Sequence, residues 1–485
     1  MKHYARSRAW CEWDGFDAWQ GRAEQALADP EAAPLSPFHL LSLPGISAAQ
    51  QRQCAERWMA PRLAVSAARR SLMGIEFAAL DVERELDRSA SGGAAAMARD
   101  GAPPWPPRRP IRLGYLSGDF HQHATALLMI DMLAAHDRGR FELHAFSHGA
   151  DDGLGMRQRL QAHFDAFHDI AALDDATAAR AIHAADIDIL VDLKGYTAGT
   201  RTALLSYRPA PVQVGYLGYP GTAGGDFCDY LISDRFITPE ASAADYSEAL
   251  ACMPHSYQPH GRAAQVGATP RREAEGLPAD GFVFCCFNQA YKFTPEVFGI
   301  WCRLLEQAPG SVLWLLGDAL AEGNLRREAL QRGIAPHRLV FAPGQPQAQH
   351  LARLPLADLV LDTAPYNAHT TASDALWAGV PLVTCAGDTF ASRVAGSLLH
   401  AVGLPELVTS SLDDYADLAA DLAADPARLR ALRDRLERHR QRAPLFDVRA
   451  YTLALEALFE AMWQRHGAGL RPQALGAGDR GVAAA

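Results

Sequence analysis

The sequence predicts an α/β protein of two doubly wound parallel halves with a small all-helical region ahead of them, and three observations carry that prediction. From residue 111 onward, short apolar runs alternate with helix-like segments, the order that a parallel sheet with crossover helices requires. The alternation comes as two series, one opening at IRLGYLSGDF (111–120) and the other at FVFCCFN (282–288). Each series is one Rossmann-like half, and two such halves are expected to face a cleft with the carboxyl-end loops of both sheets. The apolar runs are also largely continuous, as in strands covered on both faces.

The bulk properties fit this class. A chain of 485 residues is too long for one core. With 49% hydrophobic and 21% charged residues it has an ordinary globular composition. A formal net charge of −10 and the lack of any basic block longer than RRPIR (108–112) argue against a nucleic-acid partner. No apolar run approaches the roughly 20 residues of a membrane helix, and the start MKHYARSRAWCEWD has no signal-peptide core, so a cytoplasmic location without membrane attachment is expected. The eight cysteines are scattered and form neither CxxC nor zinc spacing, which predicts reduced thiols and no structural metal.

In chain order, residues 1–88 contain helical patches such as RAEQALA and AAQQRQCAERWMAPRL, broken at PLSPFHLLSLPG. Residues 89–110, rich in Ala, Gly and Pro, read as a linker. The first half (111–270) places strands at IRLGYLSGDF, FELHAFSHG, IDILVDLKG, VQVGYLGYPG and DYLISD, with ATALLMIDMLAAH as a helix. The second half (271–465) places them at FVFCCFN, VLWLLGD, RLVFAPG, DLVLDT and PLVTC. It closes with helices: Asp425-Pro426 makes an N-cap and N1 pair, and Leu429, Leu432 and Leu436 form a stripe, as do Leu455, Leu458, Phe459 and Met462. Residues 466–485 read as a disordered tail.

The most informative stretch is LVLDTAPYNAHTTASDALWAGVPLVTC (359–385), read as strand, loop, short helix, Gly-Pro stop and strand. Thr370 and Thr371 stand in the first helical turn with His369 just before it. Unpaired amides and the positive dipole end there suit a diphosphate. Asp374, four residues after Thr370, lies on the same face and is placed to accept from a ribose diol. In isolation this pattern is equally an N-cap and a solvated acid.

Neither half carries GxGxxG after its first strand and no GxxxxGK[ST] occurs, which excludes NAD, FAD and P-loop chemistry. Asp186 and Asp188 resemble a metal-binding DxD but precede their strand's apolar run. Other polar residues collect at strand ends. His121 and His123 follow the first strand, and Gln289 and Lys292 follow the first strand of the second half, where they are placed to meet phosphate oxygens. His350 and Arg353, three apart on a helix, are placed to hold a planar base. Each of these taken alone is as readily a structural histidine or a solvated surface residue.

Together with DYLISD, YSEALACMPHSY, SVLWLLGD, FASRVAGSLL and APLFD, the long motifs RLGYLSGDFHQHATALLM, ILVDLKGYTAGTRTALLSYRPAPVQVGYLGYPGTAG, FNQAYK and LADLVLDTAPYNAHTTASDALWAGVPLVT closely resemble the catalytic region of the protein O-linked N-acetylglucosamine transferases and their SPINDLY-type relatives. The resemblance covers about 111–465. It implies GT-B architecture, UDP-N-acetylglucosamine (UDP-GlcNAc) as donor, a protein or peptide acceptor, inversion, and no metal or other cofactor. Residue by residue it makes Lys292 and Gln289 diphosphate contacts, Thr370 and Thr371 the helix-start phosphate site with His369 beside it, Asp374 the ribose contact, and His350 with Arg353 the uracil clamp. It makes His123 the active-site histidine near the sugar, and it sets Gly218, Pro220 and Thr222 beside sugar and acceptor. Gln347 stands where some relatives carry a lysine near the ribose. Only about 80 residues resemble the end of the tetratricopeptide region that usually comes first, without a 34-residue repeat to count.

The implied reaction moves N-acetylglucosamine from UDP to a Ser or Thr hydroxyl. Lys292 and the helix start stabilise the leaving diphosphate, and a donor oxygen, a water chain or His123 takes the hydroxyl proton, with Lys292 and His123 as the catalytic residues. Two rival readings are a non-hydrolysing UDP-sugar epimerase, which needs carboxylates close to the sugar, and a catalytically silent UDP-sugar-binding or interaction module.

Overall fold

A computed structural model describes residues 2–73, 109–261 and 266–476. Numbered in chain order, its strands are β1 (Ile111–Ser117), β2 (Phe141–Ser147), β3 (Ala166–Asp169), β4 (Ile189–Asp192), β5 (Val212–Gly215), β6 (Tyr230–Asp234) and β7 (Ala249–Met253). They continue as β8 (Val283–Cys286), β9 (Val312–Leu316), β10 (Leu339–Ala342), β11 (Leu359–Leu361), β12 (Leu382–Cys385), β13 (Val408–Thr409) and β14 (Leu475–Gly476). Every strand expected from the sequence is present, and the described pairings are parallel. The fold is the pair of doubly wound α/β sheets that GT-B architecture requires.

The chain divides into two compact units. One joins Met1–Gln51 to Gln258–Val448, and the other joins Arg52–Tyr257 to Arg449–Ala485. The sheet of the second of these, here the N-terminal unit, has the order β14-β7-β6-β5-β4-β1-β2-β3. The chain winds outward from β1 through β2 to β3, then returns to the other side of β1 and winds through β4 to β7. β1 and β4 are therefore neighbours across the point where the winding reverses, with Leu113 paired to Ile189 and Leu116 to Asp192. Ligand crevices of such sheets open at the carboxyl ends of the strands at this switch point.

The sheet of the C-terminal unit has the order β10-β9-β8-β11-β12-β13, with its reversal between β8 and β11, where Leu359 pairs with Phe284 and Val360 with Cys285. β8 reads VFCC without alternation because both of its faces are covered, and all four residues are buried. The helix after it, Pro295–Gln307, starts on Thr294, whose hydroxyl accepts from the Val297 amide at 3.2 Å, with Pro295 at the first position. Its Trp301 indole donates to the Tyr415 hydroxyl, which donates in turn to the Asp362 carbonyl, both at 3.0 Å. Asp425 accepts from the amides of Ala427 and Arg428, and Leu429, Leu432 and Leu436 are buried, as the pattern predicted.

Three features differ from the sequence reading. The helical N-terminal stretch, Lys2–Ala9, Phe16–Ala28, Pro37–Leu40 and Ala48–Met73, is not a body of its own. Its first part packs on the C-terminal unit: Arg8 donates to the Tyr291 carbonyl at 2.8 Å, Asn324 donates to the Trp10 carbonyl at 2.8 Å, and Trp13 lies against Phe298. The units also part at 257/258 where the sequence suggested 270/271, and the closing helix Val448–Gly467 belongs to the N-terminal unit. Its buried Glu456 takes bonds from the His136 ring, the Asp137 amide and Arg140. Finally, the expected tail is structured through residue 476, because Leu475 and Gly476 pair with Ala251 and Cys252 of β7. Residues 74–88 of the expected helical region, almost all of the expected linker, and 477–485 lie outside the described residues. No described helix is long and apolar enough to cross a membrane.

Candidate active site

At the switch point of the C-terminal unit, the loops after β8 and β11 come together. The helix Thr370–Trp377 begins where the sequence places it, with His369 at the cap position and no side-chain cap bond. The first intrahelical bonds run from the Ala372 and Ser373 amides to the His369 carbonyl, each 3.1 Å. By helix geometry the amides of Thr370 and Thr371 have no acceptor within the helix. Gly379, with φ of +81°, then stops the helix in a conformation that suits glycine.

Lys292 ends a short 3₁₀ turn, Ala290–Lys292, and is buried. Its Nζ donates to the Asn367 carbonyl at 2.7 Å and lies 3.9 Å from the centre of the Tyr366 ring. Burial pushes its pKa down, while Asp362 and Cys286 work in the opposite direction. His369 packs against Tyr366, and burial first, then the Lys292 charge, holds its ring well below the ordinary histidine range. The His369 Nε2 is buried without a hydrogen-bond partner among the described residues. The Thr371 hydroxyl is donated to Asn288, whereas Gln289 is exposed. Asp374 is buried at 8% exposure, with its carboxylate 3.8 Å from the His260 ring and the Gln258–Ser373 bond beside it.

Arg353 departs from the uracil clamp that the resemblance implies for it, because its guanidinium is engaged inside the protein. It is 0% exposed, donates to the Pro343 carbonyl at 2.8 Å, stands 3.6 Å from Glu275, and covers the Phe287 ring at 4.8 Å. The guanidinium does stack on a planar face, but on the chain's own phenylalanine. A helix position with i, i+3 spacing says which residues share a face and not whether that face is covered. His350 is less enclosed. Its Nδ1 is 3.3 Å from Arg353, and burial lowers its pKa against the pull of Asp374. A small cavity behind it is lined by Cys286, Phe287, Asn288, His350 and Thr371.

At the switch point of the N-terminal unit, His123 caps the helix Ala124–Ala135, its Nδ1 accepting from the Thr125 amide at 3.2 Å. Its side chain is 42% exposed and lies 3.7 Å from Asp119. Burial lowers its pKa, Asp119 raises it, and Lys194 and His121 lower it further. The GYPGT loop is locked in place: a Cβ on Gly218 would sit 1.9 Å from the Leu193 carbonyl, so only glycine permits this approach to the loop after β4. Pro220 and Thr222 were expected beside sugar and acceptor, yet both are buried. The Thr222 hydroxyl donates to Glu248 at 2.6 Å and accepts from the Gly224 and Ser247 amides. Those bonds hold the loop from within.

Comparison with known proteins follows the same lines. Residues 106–265 and 260–455 match the pattern of glycosyl transferase family 41. The chain belongs to glycosyl transferase family 41. It is 38% identical over 371 residues to the probable UDP-N-acetylglucosamine–peptide N-acetylglucosaminyltransferase SEC of Arabidopsis thaliana, covering 75% of this chain and 38% of that one. The UDP-N-acetylglucosamine–peptide N-acetylglucosaminyltransferase of Caenorhabditis elegans is 30% identical over 474 residues, covering 74% and 41%. The chain thus spans about two fifths of the length of these curated relatives. Among solved structures, a mutant form of the Thermobaculum terrenum O-GlcNAc transferase aligns with a TM-score of 0.70 at 29% identity, covering 89% of this chain and 83% of that one.

In this family 41 chain, several residues at the two switch points escaped the sequence reading. Asp362 is buried and accepts from the amides of Thr363 and Ala368 and from the Thr384 hydroxyl, which fixes the loop that presents Asn367 to Lys292. Asn288 links that loop to Thr371. Asp119 is buried and paired to Lys194 at 2.6 Å. The signal for all of them was their place directly after β8, β11, β1 and β4, but only the strand order identifies those four ends as switch points.

Proposed function

We propose that this chain transfers N-acetylglucosamine from UDP-GlcNAc to Ser or Thr hydroxyls of a protein, with inversion and without a metal ion, in the cytoplasm. The observation that carries this reading is the pairing of a buried, carbonyl-held Lys292 with the uncapped helix start at Thr370 and Thr371. A departing UDP gathers charge on its diphosphate. A fixed cation and two free amides, already oriented, stabilise that charge without reorganising. Asp374 and His350 complete the nucleoside end, and His123 serves the sugar and acceptor end. The names of the family 41 relatives and of the Thermobaculum terrenum structure support the same donor and acceptor classes.

The deciding experiment is Lys292→Met, which keeps much of the stem and deletes the charge. A cation beside the diphosphate meets more negative charge at the transition state than in the bound donor, so turnover falls more than donor affinity. The expected loss is about 10²–10³ in rate at saturating UDP-GlcNAc with a Ser/Thr peptide. A variant that melts normally and turns over within about threefold of wild type would remove Lys292 from the mechanism.

A further inference from the structure

Of the 46 basic residues in this chain, only Lys2, Lys194 and Lys292 are lysines; the rest are arginine. Two of the three follow a switch-point strand. Lys292 lies beyond β8 in one unit, and Lys194 lies two residues beyond β4 in the other. Arginine carries a larger planar head with a permanent charge, whereas lysine is a compact point charge on a slender stem. The site of Lys194 is closely surrounded. Its side chain is 8% exposed, and its Cε lies so close to Gly118 that a Cβ there would approach within 3.3 Å. Its Nζ meets Asp119 Oδ1 at 2.6 Å.

The other oxygen of Asp119 faces His123 Nδ1 at 3.7 Å. That nitrogen is already occupied as an acceptor, because it caps the helix through the Thr125 amide. A ring that accepts at Nδ1 is neutral and carries its proton on Nε2. An unpaired carboxylate beside it would favour the imidazolium, which would put a proton on Nδ1 and break the cap. We infer that Lys194 is a positioning residue for His123: by pairing with Asp119 it keeps the imidazole neutral and capped, so that His123 presents an Nε2–H donor and not a base. The groups facing His123 are Asp119 and His121 on its own loop and Lys194 from the loop after β4; Asp152 stands beyond His121, and His148 follows β2 close to Lys194 and Asp119. Lys194 is the cation among them that is bonded to Asp119. The consequence for turnover rests on the proposed transferase activity; the protonation state of His123 does not.

The test is an NMR titration of ring-labelled histidine in the full chain, with the His123 signal assigned by its loss in His123→Asn. In wild type the neutral form carries the Nε2–H tautomer. In Lys194→Met, Asp119 is left uncompensated and the His123 midpoint rises by about one pH unit or more. In Asp119→Asn, Lys194 remains alone and the midpoint moves the other way, and in the double variant it returns toward wild type. The Asp119→Asn arm stands even if Lys194→Met fails to fold. Transfer assays alongside are expected to show a lower kcat for Lys194→Met with unchanged affinity for UDP, which binds through the other unit. A His123 midpoint that stays put in both single variants, or a neutral ring protonated at Nδ1, overturns the assignment whether or not the chain proves to be a transferase.

Discussion

Lys292 is anchored by a carbonyl and an aromatic face, and among the described residues no carboxylate lies within ion-pair distance of its ammonium. A carboxylate partner would cancel the charge before a ligand arrived, whereas a carbonyl orients it and leaves it net positive. The cost is desolvation, which lowers the lysine pKa. The free protein therefore loses this cation as pH rises through a value below the ordinary lysine range of about 10.4, and a bound diphosphate, which favours the charged form, moves the loss upward again. In pH profiles of the transferase activity, the alkaline limb of kcat/KM is expected at lower pH than that of kcat. Coincident limbs above the ordinary lysine range would contradict this account. Asp374, nearly enclosed and aimed along the same helix face, gives a second expectation. Asp374→Ala deletes a charge-assisted acceptor worth about 1.5–3 kcal/mol, weakening UDP binding roughly ten- to a hundredfold by calorimetry. At this scale the sequence was most legible where a local rule acts. Thr370, Thr371 and Asp374 follow from helix spacing and a glycine stop. Asp119 with Lys194, and Asn288 with Asp362, were not legible, because each pair spans more than seventy residues and becomes a pair only through strand order.

The elements were read from two kinds of signal, and their failures are equally specific. Long apolar runs gave β1, β2, β8 and β9 because burial on both faces demands them. β3 escaped because none of AFHD is fully buried, and β13 and β14 are two residues each, too short for any period. The closing helix shows the limit best. Its stripe of Leu455, Leu458, Phe459 and Met462 says that one face is covered and does not say by which unit. The answer lies in polar contacts. Glu456, 1% exposed, joins the His136 ring at 3.0 Å and the Asp137 amide at 2.8 Å, while the His136 ring also meets the Tyr115 hydroxyl at 2.9 Å. Glu456→Ala takes the acceptor from a buried imidazole nitrogen and from the Asp137 amide, and leaves Arg140 with Glu460 as its carboxylate partner. Breaking a buried pair by removing one partner costs about 3–5 kcal/mol, and urea denaturation of the variant is expected to show a loss of that order. A change under about 1 kcal/mol would mean that the helix is held by its apolar stripe alone.

In the whole molecule neither unit is a continuous stretch, since the chain passes between them at 51/52, 257/258 and 448/449. Each unit is completed by sequence from the far side of the other: Met1–Gln51 groups with Gln258–Val448, and the closing helix with β14 groups with Arg52–Tyr257. A two-domain cut near residue 270 is the natural reading of a linear sequence, because strand and helix periods mark elements and not their partners. The arrangement predicts what a truncation does. Ending the chain after Val448 removes Tyr451, which the Tyr216 hydroxyl meets at 2.6 Å, together with Glu456 and the β14 edge, all from the N-terminal unit. The proposed UDP contacts, Lys292, His350, Thr370, Thr371 and Asp374, lie in the C-terminal unit, whose residues end at Val448. Hydrogen exchange is therefore expected to rise across β1–β7 while protection of β8–β12 persists. UDP affinity measured on the same sample should stay within about threefold, under 1 kcal/mol. Transfer activity should disappear, because His123 sits on the unit that has loosened. A truncated chain that kept β1–β7 protected but lost UDP binding tenfold or more would show that the closing helix serves the nucleotide unit, as its place in the sequence first suggests.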